Sequence, residues 1–148
     1  MVNTQKQVID SANAQNLVRF VETGLTIVGL RKDGVVEIRF KKDTYEVDVK
    51  DQMEIQNAVF KLTNSGNERY HFMVIPGLYG GITKEARDKE TFQSTVFKDQ
   101  LSVSIIVKSL AQRILGKFYY NFKKDKPNYP FMFFGCEEQA LKWISEQK

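Results

Sequence analysis

Residues able to do chemistry are sparse in this chain, and the most suggestive group lies between Tyr70 and Phe92, YHFMVIPGLYGGITKEARDKETF. Gly77, Gly80 and Gly81 stand just ahead of Thr83, Lys84, Glu85 and Arg87. A glycine-rich loop that opens a helix can turn its backbone N–H groups toward a phosphate, and Lys84 and Arg87 would add positive charge. The plainer reading is a turn whose glycines supply positive φ, followed by Thr83 as a helix N-cap. The run does not end in Gly-Lys-Ser/Thr as a P-loop must, and it lacks the spaced glycines of the dinucleotide fingerprint. Ligands and partners collect at the carboxyl ends of strands in α/β proteins. This stretch is therefore the first candidate for a partner- or anion-binding site.

Other chemistries lack the residues they need. His71, the sole histidine, opens a strand, and nothing in the sequence supplies a nucleophile for it to activate, so it reads as a structural or surface residue. One histidine and one cysteine cannot build a typical zinc site, and no Asp-x-Asp-x-Asp-Gly calcium loop is present. Cys136 falls at a helix N-terminus, which can lower a thiol pKa, but Glu137 and Glu138 follow it and would repel a thiolate. It reads as a half-buried cap or core residue. The sequence thus assigns no catalytic residue, no metal ligand and no cofactor.

Charge is distributed unevenly. The formal net charge is only +4, yet between Leu101 and Lys126 six basic residues face the single acid Asp125. Lys117, Tyr120, Lys123, Lys124 and Lys126 could form a basic, aromatic surface for nucleic acid, an anionic lipid, an acidic protein or a second copy of the chain. A solvated helix face is the simpler reading, because Phe118 and Phe122 are wanted for the core. The mild overall charge argues against a nucleic-acid partner.

The elements around these residues follow from pattern. A length of 148 residues, 42% hydrophobic and 27% charged, fits one globular domain with a sizeable core. No apolar run approaches a membrane span, the first residues lack a signal-peptide core, and a lone cysteine fits a reducing compartment; a cytoplasmic protein is expected. Residues 1–22 read as an arm with a short helix near Ala14–Val21, and residues 23–148 as the domain. Thr26–Arg31 and Val35–Lys41 flank Lys32-Asp33-Gly34, a hairpin signal. Val36, Ile38 and Phe40 alternate toward a core face, and Thr44–Asp48 repeats the pattern. Asp51–Asn64 has helical periodicity, with Asp48 or Asp51 at its start and Gly66 as its left-handed cap. Strand His71–Pro76, loop Gly77–Gly81, helix Lys84–Phe92, strand Leu101–Lys108, a helix capped by Ser109, strand Pro130–Phe134 and helix Glu137–Gln147 complete the chain. A hairpin followed by βα alternation predicts an α/β fold with a mixed sheet flanked by helices.

The run from Thr44 to Lys148 resembles small uncharacterised bacterial proteins of the STAS-like type, the SpoIIAA-like fold of the sporulation anti-sigma-factor antagonist. The matching stretches are Ile82-Thr83-Lys84-Glu85-Ala86-Arg87-Asp88, Ile106-Val107-Lys108-Ser109, Leu115-Gly116-Lys117-Phe118 and Glu137-Glu138-Gln139-Ala140-Leu141-Lys142-Trp143. The resemblance implies a mixed sheet flanked by helices and a regulatory role through protein binding rather than catalysis. Regulatory members carry a phosphorylatable serine in Asp-Ser-Ser/Thr-Gly-Leu, where a strand's loop opens a helix. Thr83-Lys84-Glu85-Ala86-Arg87 occupies that place here and leaves Thr83 as the only hydroxyl. The expectation is a non-catalytic domain that binds an unidentified protein partner, or a second copy of itself, through Gly77–Arg87. The alternative is a binder of an anionic small molecule or lipid.

Overall fold

The computed structural model describes residues 17–64, 68–89, 100–110, 112–113 and 129–147. Its first element corrects an expectation. Leu17–Glu22 is a strand, β1, rather than the end of a short helix, and it pairs antiparallel with β2, Thr26–Arg31. The pairing supplies what local pattern could not: a row of backbone partners for a segment with weak helical periodicity. β2 pairs antiparallel with β3, Val35–Phe40, across the expected hairpin. Gly34, at φ 83°, takes the left-handed position of the connection, and its N–H donates to the Arg31 carbonyl at 3.0 Å.

β4, Thr44–Val47, leads into helix α1, Val49–Leu62. Asp48 is the N-cap: its Oδ1 accepts from the Asp51 amide at 2.8 Å, while Asp51 Oδ2 accepts from the Asp48 amide at 3.0 Å. This reciprocal capping starts the helix two residues before the periodicity alone suggests. At the other end Asn64, at φ 53°, adopts the left-handed conformation expected of Gly66, which lies outside the described residues.

β5 (His71–Ile75), β7 (Ser102–Ile106) and β8 (Phe131–Phe134) then extend the sheet in the order β1-β2-β3-β5-β7-β8, all parallel beyond β3. β6, Tyr79–Ile82, stands apart and pairs parallel with β4 in a two-stranded ribbon. Helix α2 covers Lys84–Lys89, and α3 covers Glu137–Glu146. Ser109 also acts as the expected cap, its Oγ accepting from the Gln112 amide at 3.3 Å. The apolar face assigned to the helix after it, and the basic surface residues Lys117, Tyr120, Lys123, Lys124 and Lys126, lie outside the described residues.

Two layers close on the sheet. Ile55, Ala58, Val59 and Leu62 of α1 pack on Val28, Val36, Ile38 and Phe72. Ala140 and Ile144 of α3 pack with Val35, Met73, Ile75 and Ile106 in a second cluster. β3 contributes to both, so the face opposite Val36 and Ile38 is not a solvent face as simple alternation implies. Glu37 lies there, only 2% exposed.

Ile55 is 4% exposed and Met53, two residues earlier on α1, is 40% exposed. Ile55→Ala should therefore cost about 2–5 kcal/mol in urea unfolding, whereas Met53→Ala should stay within about 0.5 kcal/mol of the parent. Equal effects of the two would contradict this placement of α1.

Candidate functional site

A groove of about 820 Å³ opens at the carboxyl ends of β3, β5, β7 and β8. Its apolar lining includes Phe40, Ile75, Leu78, Ile82, Ile105 and Phe133, and its charged lining includes Arg39, Lys41, Asp43, Lys108 and Glu137. The Gly77–Ile82 segment forms one wall. The start of α3 forms another.

The α3 wall is set by charge. Glu37 on β3 sits between two guanidinium groups, with Arg31 Nη1 donating to its Oε2 at 3.2 Å and Arg39 Nε lying 3.5 Å from its Oε1. Arg39 Nε has no hydrogen-bond partner, so this second contact is one of charge alone. Arg39 in turn donates from Nη2 to Glu137 Oε1 at 2.9 Å, in the first turn of α3. Burial opposes the charge on Arg39, but Glu137 and Glu37 outweigh it and hold the guanidinium above its ordinary pKa. At the far end Arg31 pairs with Asp33 of the hairpin at 3.0 Å. Cys136 is the N-cap of α3 and lines the groove, exposed rather than half-buried as expected.

The glycine segment departs from both sequence readings. It is strand rather than loop from Tyr79 onward, and among the described residues only Gly34 and Asn64 have positive φ. Tyr79 and Thr83 donate their amides to the Asp43 and Val47 carbonyls of the β4 side, at 2.7 and 2.9 Å, so these groups do not converge on a phosphate. The glycines serve close packing instead. A Cβ on Gly77 would stand 2.3 Å from the Lys42 carbonyl, and one on Gly80 would stand 2.2 Å from the Tyr45 hydroxyl. Tyr45 is stacked on Phe40, with ring centroids 4.5 Å apart, and its hydroxyl accepts from the Gly77 amide at 3.1 Å. Burial raises the Tyr45 pKa, the Gly77 N–H tempers the rise, and the Asp43 charge adds to it.

Of the residues singled out in sequence, Gly77, Gly80, Gly81, Thr83, Lys84 and Glu85 are brought together along β6 and the start of α2, and Arg87 follows on that helix. Thr83 caps α2, its Oγ1 accepting from the Ala86 amide at 3.1 Å. Lys84 and Glu85 are exposed, and buried Ala86 anchors the helix by accepting from Gln52 Nε2 at 2.8 Å. Arg39, Asp43, Lys108, Phe133 and Glu137 join the groove without having been singled out for it; their common signal is a position at or just past the carboxyl end of a strand, or at the start of the helix that follows.

His71 lies apart from the groove residues. Its Nδ1 is 2.7 Å from Ser102 Oγ, and Ser102 is fully buried. Desolvation lowers the His71 pKa. Among the described residues no group of three or more His, Cys, Asp or Glu side chains could hold a metal ion, and no helix is long and apolar enough to cross a membrane.

A mixed sheet with this strand order, flanked by helices, defines the class as an α/β domain. Among solved structures the chain is similar to an uncharacterized protein of the DUF3478 family with a SpoIIAA-like fold from Shewanella loihica PV-4. The TM-score is 0.56 at 15% identity, over 84% of this chain and 98% of that one, which establishes the SpoIIAA-like fold. Residues 29–148 match a domain of unknown function, DUF7793, and the chain belongs to that family. No curated protein matches it.

Two outcomes follow from this geometry. Gly80→Ala should cost about 1–3 kcal/mol, because the added methyl must displace the Tyr45 ring. The cost should shrink in a Tyr45→Ala background, so a double-mutant cycle that proves additive would refute the packing role. For His71, the unfolded chain binds more protons than the folded one at pH values between the lowered folded pKa and the ordinary 6.5. Stability should therefore be full above that window and fall as the pH drops through it; His71→Gln should flatten this part of the urea-midpoint profile.

Proposed function

We propose that this chain is a non-catalytic, regulatory interaction domain that binds a protein partner through Gly77–Arg87 and the groove beside it. The observation that carries the reading is the exposure of Leu78, Tyr79 and Ile82 at 43%, 70% and 41%, on a segment that forms a groove wall at the carboxyl ends of the parallel strands. A run of exposed apolar side chains against a concave apolar lining is how protein-binding surfaces are commonly built. The lone cysteine suits work in a reducing cytoplasm.

Charge favours a protein over an anionic small molecule or lipid as the occupant. Two of the groove's cations already have carboxylate partners: Arg39 pairs with Glu137, and Lys41 Nζ pairs with Glu22 Oε2 at 2.9 Å. An anion would have to compete with them. The non-catalytic reading draws on His71, whose partner Ser102 is buried beyond the reach of a substrate.

Tagged full chain should recover a specific protein from lysate of its host. Tyr79→Ser and Lys84→Glu should each weaken recovery about tenfold or more if their side chains are interface anchors. Both positions are exposed, so melting temperatures should hold. Full recovery by the Tyr79→Ser, Lys84→Glu double variant would sink the proposed surface.

A further inference from the structure

Backbone geometry narrows the mode by which such a partner would be held. In β6 the amides of Tyr79 and Thr83 point to β4. N–H and C=O groups alternate sides along a strand, so those of Gly80 and Ile82 point to the opposite edge. The β4–β6 ribbon has only two strands, and among the described residues nothing pairs with that edge. All four residues of β6 are exposed.

Two further features make the edge receptive. Tyr79-Gly80-Gly81-Ile82 contains no charge and no proline, the usual guards against strand pairing. Leu78, Gly80 and Ile82 all line the groove, as expected of alternate residues in an extended run, so one side of the ribbon looks into it. A strand laid along the edge would bond to Gly80 and Ile82, which are about 6.6 Å apart along the chain, and would place every second side chain on the groove side.

Building on the protein-binding reading above, we infer that β6 accepts an extended segment of a partner protein as an added strand, apolar at alternate positions. The occupant's class comes from hydrogen-bond complementarity, since the edge offers backbone donors and acceptors at strand spacing. The alternation comes from Phe40, Ile75, Leu78 and Ile82 in the groove lining.

The test uses the full chain, labelled with ¹⁵N, and peptides selected against it from a displayed random library. On adding a selected peptide, exchange of the Gly80 and Ile82 amides should slow at least about tenfold, while those of Tyr79 and Thr83, already bonded to β4, change least. Ile82→Pro removes one edge donor without touching the bonds to β4, and Gly81 before it is already extended, as a residue preceding proline should be. It should weaken binding about tenfold or more. Ile82→Lys, a guard charge at an exposed position, should do the same if the proline variant melts early. Protection at other amides, undiminished binding by both variants, or the absence of any peptide that depends on this edge would overturn strand addition. Edge protection that grows with protein concentration alone would assign the edge to a second copy and overturn the partner segment. A lysate partner that Tyr79→Ser loses but Ile82→Pro retains would overturn strand addition alone and leave the interaction surface standing.

Discussion

Glu37 is a carboxylate at the centre of a sheet, 2% exposed, on a strand whose two faces are both covered. Unpaired, a charge there would cost several kcal/mol, so its burial requires the guanidinium groups of Arg31 and Arg39 on either side. Arg39 does not stop at Glu37. Its other edge reaches Glu137 and fixes the first turn of α3 over the carboxyl ends of the strands. Arg31 likewise reaches back to Asp33 in the hairpin connection. Five charges thus run from the hairpin to the last helix, and each inner one is tolerable only because its neighbours are in place. Glu137 adds a second benefit, as an acid in the first turn complements the helix dipole.

The residue after Arg39 sets the other wall of the groove. Phe40 turns to the opposite side of β3 and stacks on Tyr45, whose hydroxyl meets Gly77 and whose ring lies over Gly80. The ribbon of β4 and β6 is therefore seated on the end of β3 by one aromatic post. Adjacent residues of a strand point to opposite faces, so Arg39 and Phe40 build two walls of one groove from consecutive positions. The candidate site is a consequence of how β3 ends.

Local pattern explains which parts of this were legible. The Asp-Gly connection, the Ile55-Ala58-Val59-Leu62 stripe and the apolar run of β7 each carry their own signal within a few residues, and the STAS-like resemblance carried the architecture. β1 and β6 carried no such signal. Leu17–Glu22 becomes strand through its row of partners in β2, and Tyr79–Ile82 does so despite two glycines, because β4 pairs with it and Tyr45 demands a bare position at Gly80. The burial of Glu37 was illegible for another reason: alternation marks one core face and is silent about whether the second is covered. The groove lies where the rule about carboxyl ends points, whereas the packing role of Gly77 and Gly80 has no local signature, because it depends on Lys42 and Tyr45 more than thirty residues away.

The contact between Gly80 and Tyr45 has a consequence for the edge of β6. Exposed edge strands usually carry a charge, a proline or a bulge that discourages pairing, and β1 at one end of the main sheet carries Arg19 and Glu22. At Gly80 no guard can be placed, since any side chain would strike Tyr45 and unseat the ribbon. The demand that packs β6 against the body of the domain thus removes one of the positions where a guard could stand. What remains beside that edge is the Tyr79 ring on one side, the groove on the other and the charged turn of Lys84-Glu85 just beyond. The segment in which the STAS-like resemblance places a switch is here a strand whose outer edge has no partner among the described residues, beside a groove with an apolar lining.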